Sequence, residues 1–322
     1  MALLLSRNFA LDLVRATEAA ALSAGRWMGM NQPAAADRAA NAAMLNLLSH
    51  IEMDGRIVVG ERSPAGPENC FRPGQAIGTG NGPAVDLVVD AIDGCRLLAQ
   101  GYGAAISVAA IAPRGTMWAP TPAVYMDKIV VGADLALALA SECLDAPAAW
   151  TLALAARVKK KPVRDLVVYV LNRPRHDDLV AEIRAAGSHV LLSPEGDILG
   201  ALLAITPGSG VDLLMGTGGV PEGLIAACAI RAAGGAMLGR LDPQNQAEKE
   251  AIAAAGFEAR RILTADQLVA SREIFFAATG ISDGPLLQGV RYAGNHATSN
   301  SMTLRGETRT RRTIISEHLL ED

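Results

Sequence analysis

Val85-Asp86-Leu87-Val88-Val89-Asp90-Ala91-Ile92-Asp93-Gly94 is an apolar run that delivers two carboxylates three residues apart at its end. Its β-branched core predicts a buried strand over Val85 to Asp90, and the glycine predicts a turn directly after it. Acids where a strand meets a turn can converge on a hard divalent cation, with backbone carbonyls and water completing the shell. The two aspartates can equally be turn caps, so the segment by itself leaves both uses open.

Working outward, apolar residues Leu13, Ala16, Ala20, Ala24 and Trp27 recur at steps of three and four, which predicts an amphipathic helix from Asn8 to about Gly29. A second helix is predicted from Pro33, with Ala40, Ala43, Leu47 and Ile51 inward. Proline suits that start because the first amides of a helix have no intrahelical partner. Further strands are expected over Arg56 to Gly60, Ile106 to Ile111, Leu166 to Leu171, His189 to Leu192, Val211 to Met215 and Ile274 to Ala278. Helices are expected over Asp178 to Ala186 and Gly223 to Ala233, and this alternation is that of an α/β layer structure. The chain of 322 residues, half of them hydrophobic, is long enough for two packed α/β domains. A boundary is expected near Lys159-Lys160-Lys161-Pro162, giving domains 1–160 and 161–322.

The chain has 29 basic and 33 acidic residues and a net charge of −4. No long-range positive field exists to recruit nucleic acid or an anionic membrane surface. Cys70, Cys95, Cys143 and Cys228 show no CxxC pair or zinc-like spacing, which suits a reducing cytoplasm. The short apolar run at the N-terminus, interrupted by Arg7, Asp12 and Arg15, reads neither as a signal peptide nor as a membrane span.

Two more acids sit at element ends. Glu61 follows Ile57-Val58-Val59-Gly60, and Glu222 follows Gly216-Thr217-Gly218-Gly219-Val220-Pro221 in the first turn of a helix. A first-turn acid complements the helix dipole, and the amides there can also cradle a phosphate. Asn172-Arg173-Pro174-Arg175-His176 ends an apolar strand with two guanidinium groups, whose planar forks suit phosphate; a solvated turn is the alternative.

Taken in order, Val14-Arg15-Ala16-Thr17-Glu18, Ala36-Asp37, Val59-Gly60-Glu61, Val88-Val89-Asp90, Tyr125-Met126-Asp127-Lys128, Arg173-Pro174-Arg175-His176, Gly218-Gly219-Val220-Pro221-Glu222-Gly223 and Ala278-Thr279-Gly280 resemble the class II fructose-1,6-bisphosphatases of the lithium-sensitive sugar and inositol phosphatase superfamily. The resemblance covers nearly the whole chain. It implies a layered α/β/α/β/α sandwich and a Mg2+- or Mn2+-dependent phosphatase acting on a sugar bisphosphate. By position it implies metal binding by Asp37, Glu61, Asp90, Asp93 and Glu222 with the Ile92 carbonyl. It implies substrate binding by Gly94, Tyr125, Arg173, Arg175, Glu195 and Asp197, and catalysis by Glu61 with Cys95 at the position that orients the attacking water. It also implies a homo-oligomer.

Three positions depart from that family's pattern. The segment Arg62 to Pro67 lacks acids usual there, Pro33 replaces a lysine, and Cys95 replaces a hydroxyl. A thiol is a weak hydrogen-bonding partner for water. These departures lead to two expectations: a longer substrate, such as a heptose or octose bisphosphate, or a catalytically silent paralogue that binds sugar phosphate or metal as a regulatory or structural subunit.

Overall fold

The computed structural model describes residues 7–60, 66 and 71–320. The chain divides into two α/β units, one gathering the chain up to Met117 and from Ser271 onward, the other spanning Trp118–Ala270. The expected boundary at 160 is therefore displaced, and the C-terminal fifty-odd residues belong with the first unit. The physical reason is strand pairing, since a cut at 160 would separate strands that share one hydrogen-bonded sheet.

In the first unit, α1 (Ala10–Gly25) and α2 (Pro33–Ser49) pack on an eight-stranded sheet. Its strands are β1 (Asp54–Ile57), β2 (Ala76–Ile77), β3 (Ala84–Asp93), β4 (Ile106–Pro113), β11 (Phe275–Gly280), β12 (Arg291–Ala293), β13 (His296–Arg305) and β14 (Thr310–Leu319). The order is β12-β13-β11-β4-β3-β1-β2, with β14 on the free side of β13. Neighbours are antiparallel except β1 and β3.

The helix α1 starts where Asn8 Oδ1 accepts the Ala10 amide at 3.1 Å, which satisfies one otherwise unbonded donor. Its predicted stripe of Leu13, Ala16, Ala20 and Ala24 is buried, whereas Trp27 lies beyond the helix end and packs only partly on the core. In α2 the buried stripe is Ala36, Ala40, Met44 and Leu48, so the expected inward face of Ala43 and Leu47 is rotated by one residue. The largely alanine faces of both helices lie close to Val85, Leu87, Val89 and Ala109 of the sheet. A second tie is polar: Thr17 Oγ1 lies 2.7 Å from Thr279 Oγ1, which lies 2.8 Å from Ser301 Oγ, all buried.

The second unit holds a six-stranded sheet ordered β10-β9-β5-β8-β6-β7. The strands are β5 (Tyr125–Val131), β6 (Val167–Leu171), β7 (His189–Ser193), β8 (Leu213–Gly219), β9 (Ala236–Leu241) and β10 (Leu263–Thr264). The strand β5 pairs with β8 and β9, which is why it cannot belong to a domain ending at 160. Helices α4 (Ala148–Lys159) and α5 (Asp177–Ala185) cover one sheet face through Leu152, Ala155, Val180 and Ile183, packed with Val168, Val170, Leu213 and Met215. On the other face lie α6 (Asp197–Ala204) and α7 (Val220–Ala233). The approach of α6 is close because Gly200 has no Cβ to collide with the Tyr169 ring or with Leu214.

Candidate active site

In the first unit the end of β3 is not a plain strand-to-turn junction. Asp90 lies opposite Val108 and Asp93 opposite Ile106, so the register shifts between them in a bulge. The Ile92 amide donates to Asp90 Oδ1 at 3.0 Å and holds that bulge in shape. A bulge re-aims side chains that would alternate across a regular strand. Gly94 follows with φ +96°, a conformation that favours glycine, and opens α3 (Cys95–Ala99).

The start of α3 is tied to the start of α2, because the Cys95 thiol donates to the Pro33 carbonyl at 3.4 Å. Two of the three departures from the family pattern thus touch each other. Asp37 lies one helical turn beyond Pro33 and is buried, with its carbonyl accepting from Asn41 Nδ2 at 3.1 Å. Asp93 is likewise buried, and Asp90 is half-buried. The donor set of Asp37, Asp90, Asp93 and the Ile92 carbonyl consists wholly of oxygen, the chemistry a hard divalent cation takes. Among the described residues no three His, Cys, Asp or Glu side chains stand close enough together to hold a metal ion. Glu61 and the rebuilt segment, apart from Gly66, lie outside the described residues.

In the second unit the two-arginine loop stands at the end of β6. The Arg175 guanidinium donates to the Thr217 carbonyl through Nη2 at 2.8 Å and Nε at 3.3 Å, and lies 5.2 Å from the centre of the Tyr125 ring. Arg173 donates to the Asn172 carbonyl at 3.1 Å. Tyr125 opens β5 opposite Gly219 of β8. Tyr125, Arg175 and the end of β8 are therefore together.

His176 is a structural clamp. Its Nδ1 bonds the Leu171 carbonyl at 2.7 Å, and its Nε2 accepts the Thr217 amide at 2.8 Å. An acceptor at Nε2 fixes the neutral tautomer with the proton on Nδ1. Burial pushes its pKa below the ordinary 6.5, and the Arg175 and Lys128 charges add to that, while the Leu171 carbonyl opposes it. Gly216, at φ +119°, gives way to the ring; a Cβ there would sit 2.9 Å from Nε2.

Lys128 is the residue that the sequence offered but did not explain. It is fully buried, and its ammonium donates to Asp197 Oδ2 at 2.7 Å. The carboxylate of Asp197 is thus engaged inside the unit at the first residue of α6. A Cβ at Gly218 would overlap that carboxylate, so the pair depends on this glycine as well. The preceding turn is held from below: Tyr169 Oη donates to the carbonyls of Glu195 at 3.0 Å and Gly196 at 2.8 Å, and Ser193 Oγ donates to that of Glu195 at 2.6 Å. The usable signal for Lys128 was a lysine set directly before the apolar run Ile129-Val130-Val131 of the same strand, where only a paired charge is tolerated. Glu222 occupies the first turn of α7, as expected, with its carboxylate over Gly219.

The chain matches the family described as bacterial fructose-1,6-bisphosphatase, glpX-encoded, over residues 7–318. It is 38% identical to the fructose-1,6-bisphosphatase class 2 of Haemophilus influenzae, over 99% of this chain and 98% of that protein. It is 37% identical to the fructose-1,6-bisphosphatase 1 class 2 of Escherichia coli K12, over 98% of this chain and 96% of that one.

Proposed function

The chain belongs to the family of bacterial, glpX-encoded fructose-1,6-bisphosphatases, and from that premise we propose that it is a divalent-metal-dependent sugar bisphosphatase hydrolysing one phosphomonoester of its substrate. The observation that carries the site is the bulged end of β3, bearing Asp90 and Asp93, joined through Cys95 and Pro33 to the helix that bears Asp37. In this reading Asp37, Glu61, Asp90, Asp93, Glu222 and the Ile92 carbonyl would hold Mg2+ or Mn2+. A cation so bound supplies Lewis-acid polarisation of the phosphate oxygens and a lowered pKa for the attacking water.

The chain's own groups do the rest. Arg173 and Arg175 bind the phosphate that is not cleaved, and Tyr125, Gly94, Glu195 and Asp197 orient the sugar. For Asp197 the polypeptide of the turn is the better contact, since its carboxylate is engaged by Lys128. Glu61 aligns the water. The rebuilt segment from Arg62 to Pro67 supports a longer sugar than fructose, a heptose or octose bisphosphate. The protein acts in the cytoplasm as a homo-oligomer. No helix among the described residues is long and apolar enough to cross a membrane.

One observation favours a second reading. The Cys95 thiol is directed at the Pro33 carbonyl, away from the task that a hydroxyl performs there, and this fits a silent paralogue that binds sugar phosphate or metal without turnover. Phosphate release from six-, seven- and eight-carbon sugar bisphosphates, with Mn2+ or Mg2+ and a Glu61→Gln control, separates the two. Release that the control lacks establishes the phosphatase and identifies the sugar. Absence of release from every sugar, with metal binding still measurable by calorimetry, establishes the silent paralogue.

A further inference from the structure

Thr217 of β8 engages all of its polar groups. Its amide donates to His176 Nε2 at 2.8 Å, its carbonyl accepts the two Arg175 bonds, and its hydroxyl donates to Asp242 Oδ2 at 2.8 Å. Asp242, the residue directly after β9, is tied to the same place by its backbone, since its amide donates to the Tyr125 carbonyl at 2.9 Å. It therefore stands beside Tyr125 and, through Thr217, beside Arg175, the residues read above as holding sugar and phosphate.

The carboxylate is fixed by one oxygen and offers the other. Besides the Thr217 hydroxyl, Oδ2 accepts from Gln244 Nε2 at 2.9 Å, and the same nitrogen donates to the Asp242 carbonyl at 2.9 Å. Those bonds set the orientation of the group. Among the described residues nothing donates to Oδ1, and the half-buried Asp242 leaves it open to solvent. A carboxylate accepts hydrogen bonds and has none to give, so it repels a phosphate and suits a hydroxyl, while the guanidinium near it suits the phosphate. An arginine with a fixed acceptor beside it matches a phosphate ester whose neighbouring carbon carries a hydroxyl. In the furanose form of fructose-1,6-bisphosphate the carbon next to the terminal phosphate ester group bears the ring oxygen instead. Lengthening the sugar by one carbon inserts a CHOH group at that point.

We propose that Asp242 is a specificity-determining residue: its Oδ1 accepts the hydroxyl on the carbon next to the terminal phosphate ester that Arg175 binds, so the site prefers a sugar longer than fructose. This inference rests on the sugar bisphosphatase reading and names a residue that sets sugar length.

Calorimetry of the full chain with Mn2+, in the Glu61→Gln background where a bound ester is not hydrolysed, tests it. The probes are fructose-1,6-bisphosphate, a seven-carbon ketose bisphosphate, the same ester lacking the hydroxyl next to its terminal phosphate, and inorganic phosphate. The seven-carbon ester should bind about ten-fold more tightly than its deoxy form, the scale of one hydrogen bond to a charged group. Adding Asp242→Ala should weaken the seven-carbon ester by about ten-fold, to the level of the deoxy form, on the same basis. It should leave fructose-1,6-bisphosphate and inorganic phosphate within about two-fold. Equal binding of the seven-carbon ester and its deoxy form overturns the proposal without any change at Asp242. A loss in Asp242→Ala that is equal for every probe, inorganic phosphate included, also overturns it, because Asp242 then acts through Thr217 on Arg175. Binding of neither bisphosphate to the chain that retains Asp242 overturns the sugar bisphosphatase reading together with the proposal.

Discussion

Replacing Lys128 by methionine removes the ammonium that faces Asp197 Oδ2 at 2.7 Å, while Asp197 stays only 7% exposed. At that distance and an effective dielectric of about 20, the gross attraction is about 6 kcal/mol. The net effect is smaller, because the pair also carries the cost of removing two charges from water. Breaking a buried pair from one side leaves the other charge unpaired, at about 3–5 kcal/mol. The double variant Lys128→Met, Asp197→Asn removes both charges and should recover a large part of that loss. The assay is equilibrium urea unfolding of the wild type, the two single variants and the double variant. With a slope of about 2 kcal/mol per molar, Lys128→Met should lower the midpoint by more than about 1 M. The coupling from the four-protein cycle should exceed about 2 kcal/mol. Losses that add to within about 0.5 kcal/mol would show that the two groups act independently and would refute the argument.

Four further outcomes are expected. Gly218→Ala should destabilise by about 1–3 kcal/mol, because its methyl must displace the Asp197 carboxylate; a thermal melt checks this. Thr279→Val should cost about 1–3 kcal/mol by removing the partner of the buried Ser301 hydroxyl, while Thr17 keeps its bond to the Val14 carbonyl, and an unchanged urea midpoint would contradict it. His176 is held neutral with a pKa below 6.5. Its contribution is complete above 6.5, and it declines as pH falls through the window between 6.5 and the depressed folded value, because the unfolded chain takes up the proton first. The stability gap between wild type and His176→Gln should therefore narrow from pH 7.5 to pH 5.5, both about one unit either side of the ordinary histidine value; a constant gap would contradict the clamp. Asp93→Asn should raise the Mn2+ concentration for half-maximal binding in calorimetry by about ten-fold or more, as loss of a carboxylate ligand from a hard-cation site does.

The local elements were legible because their signals are local. The spacing of Leu13, Ala16, Ala20 and Ala24 sufficed for α1, Pro33 for the start of α2, and Gly94 for the turn after β3, each through backbone preferences that act over a few residues. The aspartates at the end of β3 and the arginines at the end of β6 were visible as residue types at element ends. The bulge at Asp90 was not, since a register shift is a property of two strands, and nothing in β3 alone reveals the offset of Asp93 against Ile106. The missed Lys128 and His176 have the same explanation: their partners Asp197 and Thr217 are 69 and 41 residues away, so their bonds exist only once β5, β8 and the loops are assembled.

By itself, then, the sequence determined the α/β class, the positions of most helices and strands, and the chemistry available at their ends, because propensity, capping and charge are written residue by residue. Only the tertiary structure decided that β11 through β14 return to the first sheet, that β5 belongs with β8 and β9, and that Cys95 meets Pro33. Those are pairings between segments far apart in the chain. They are selected by which buried faces and backbone hydrogen bonds can all be satisfied at once, a condition that no single segment states.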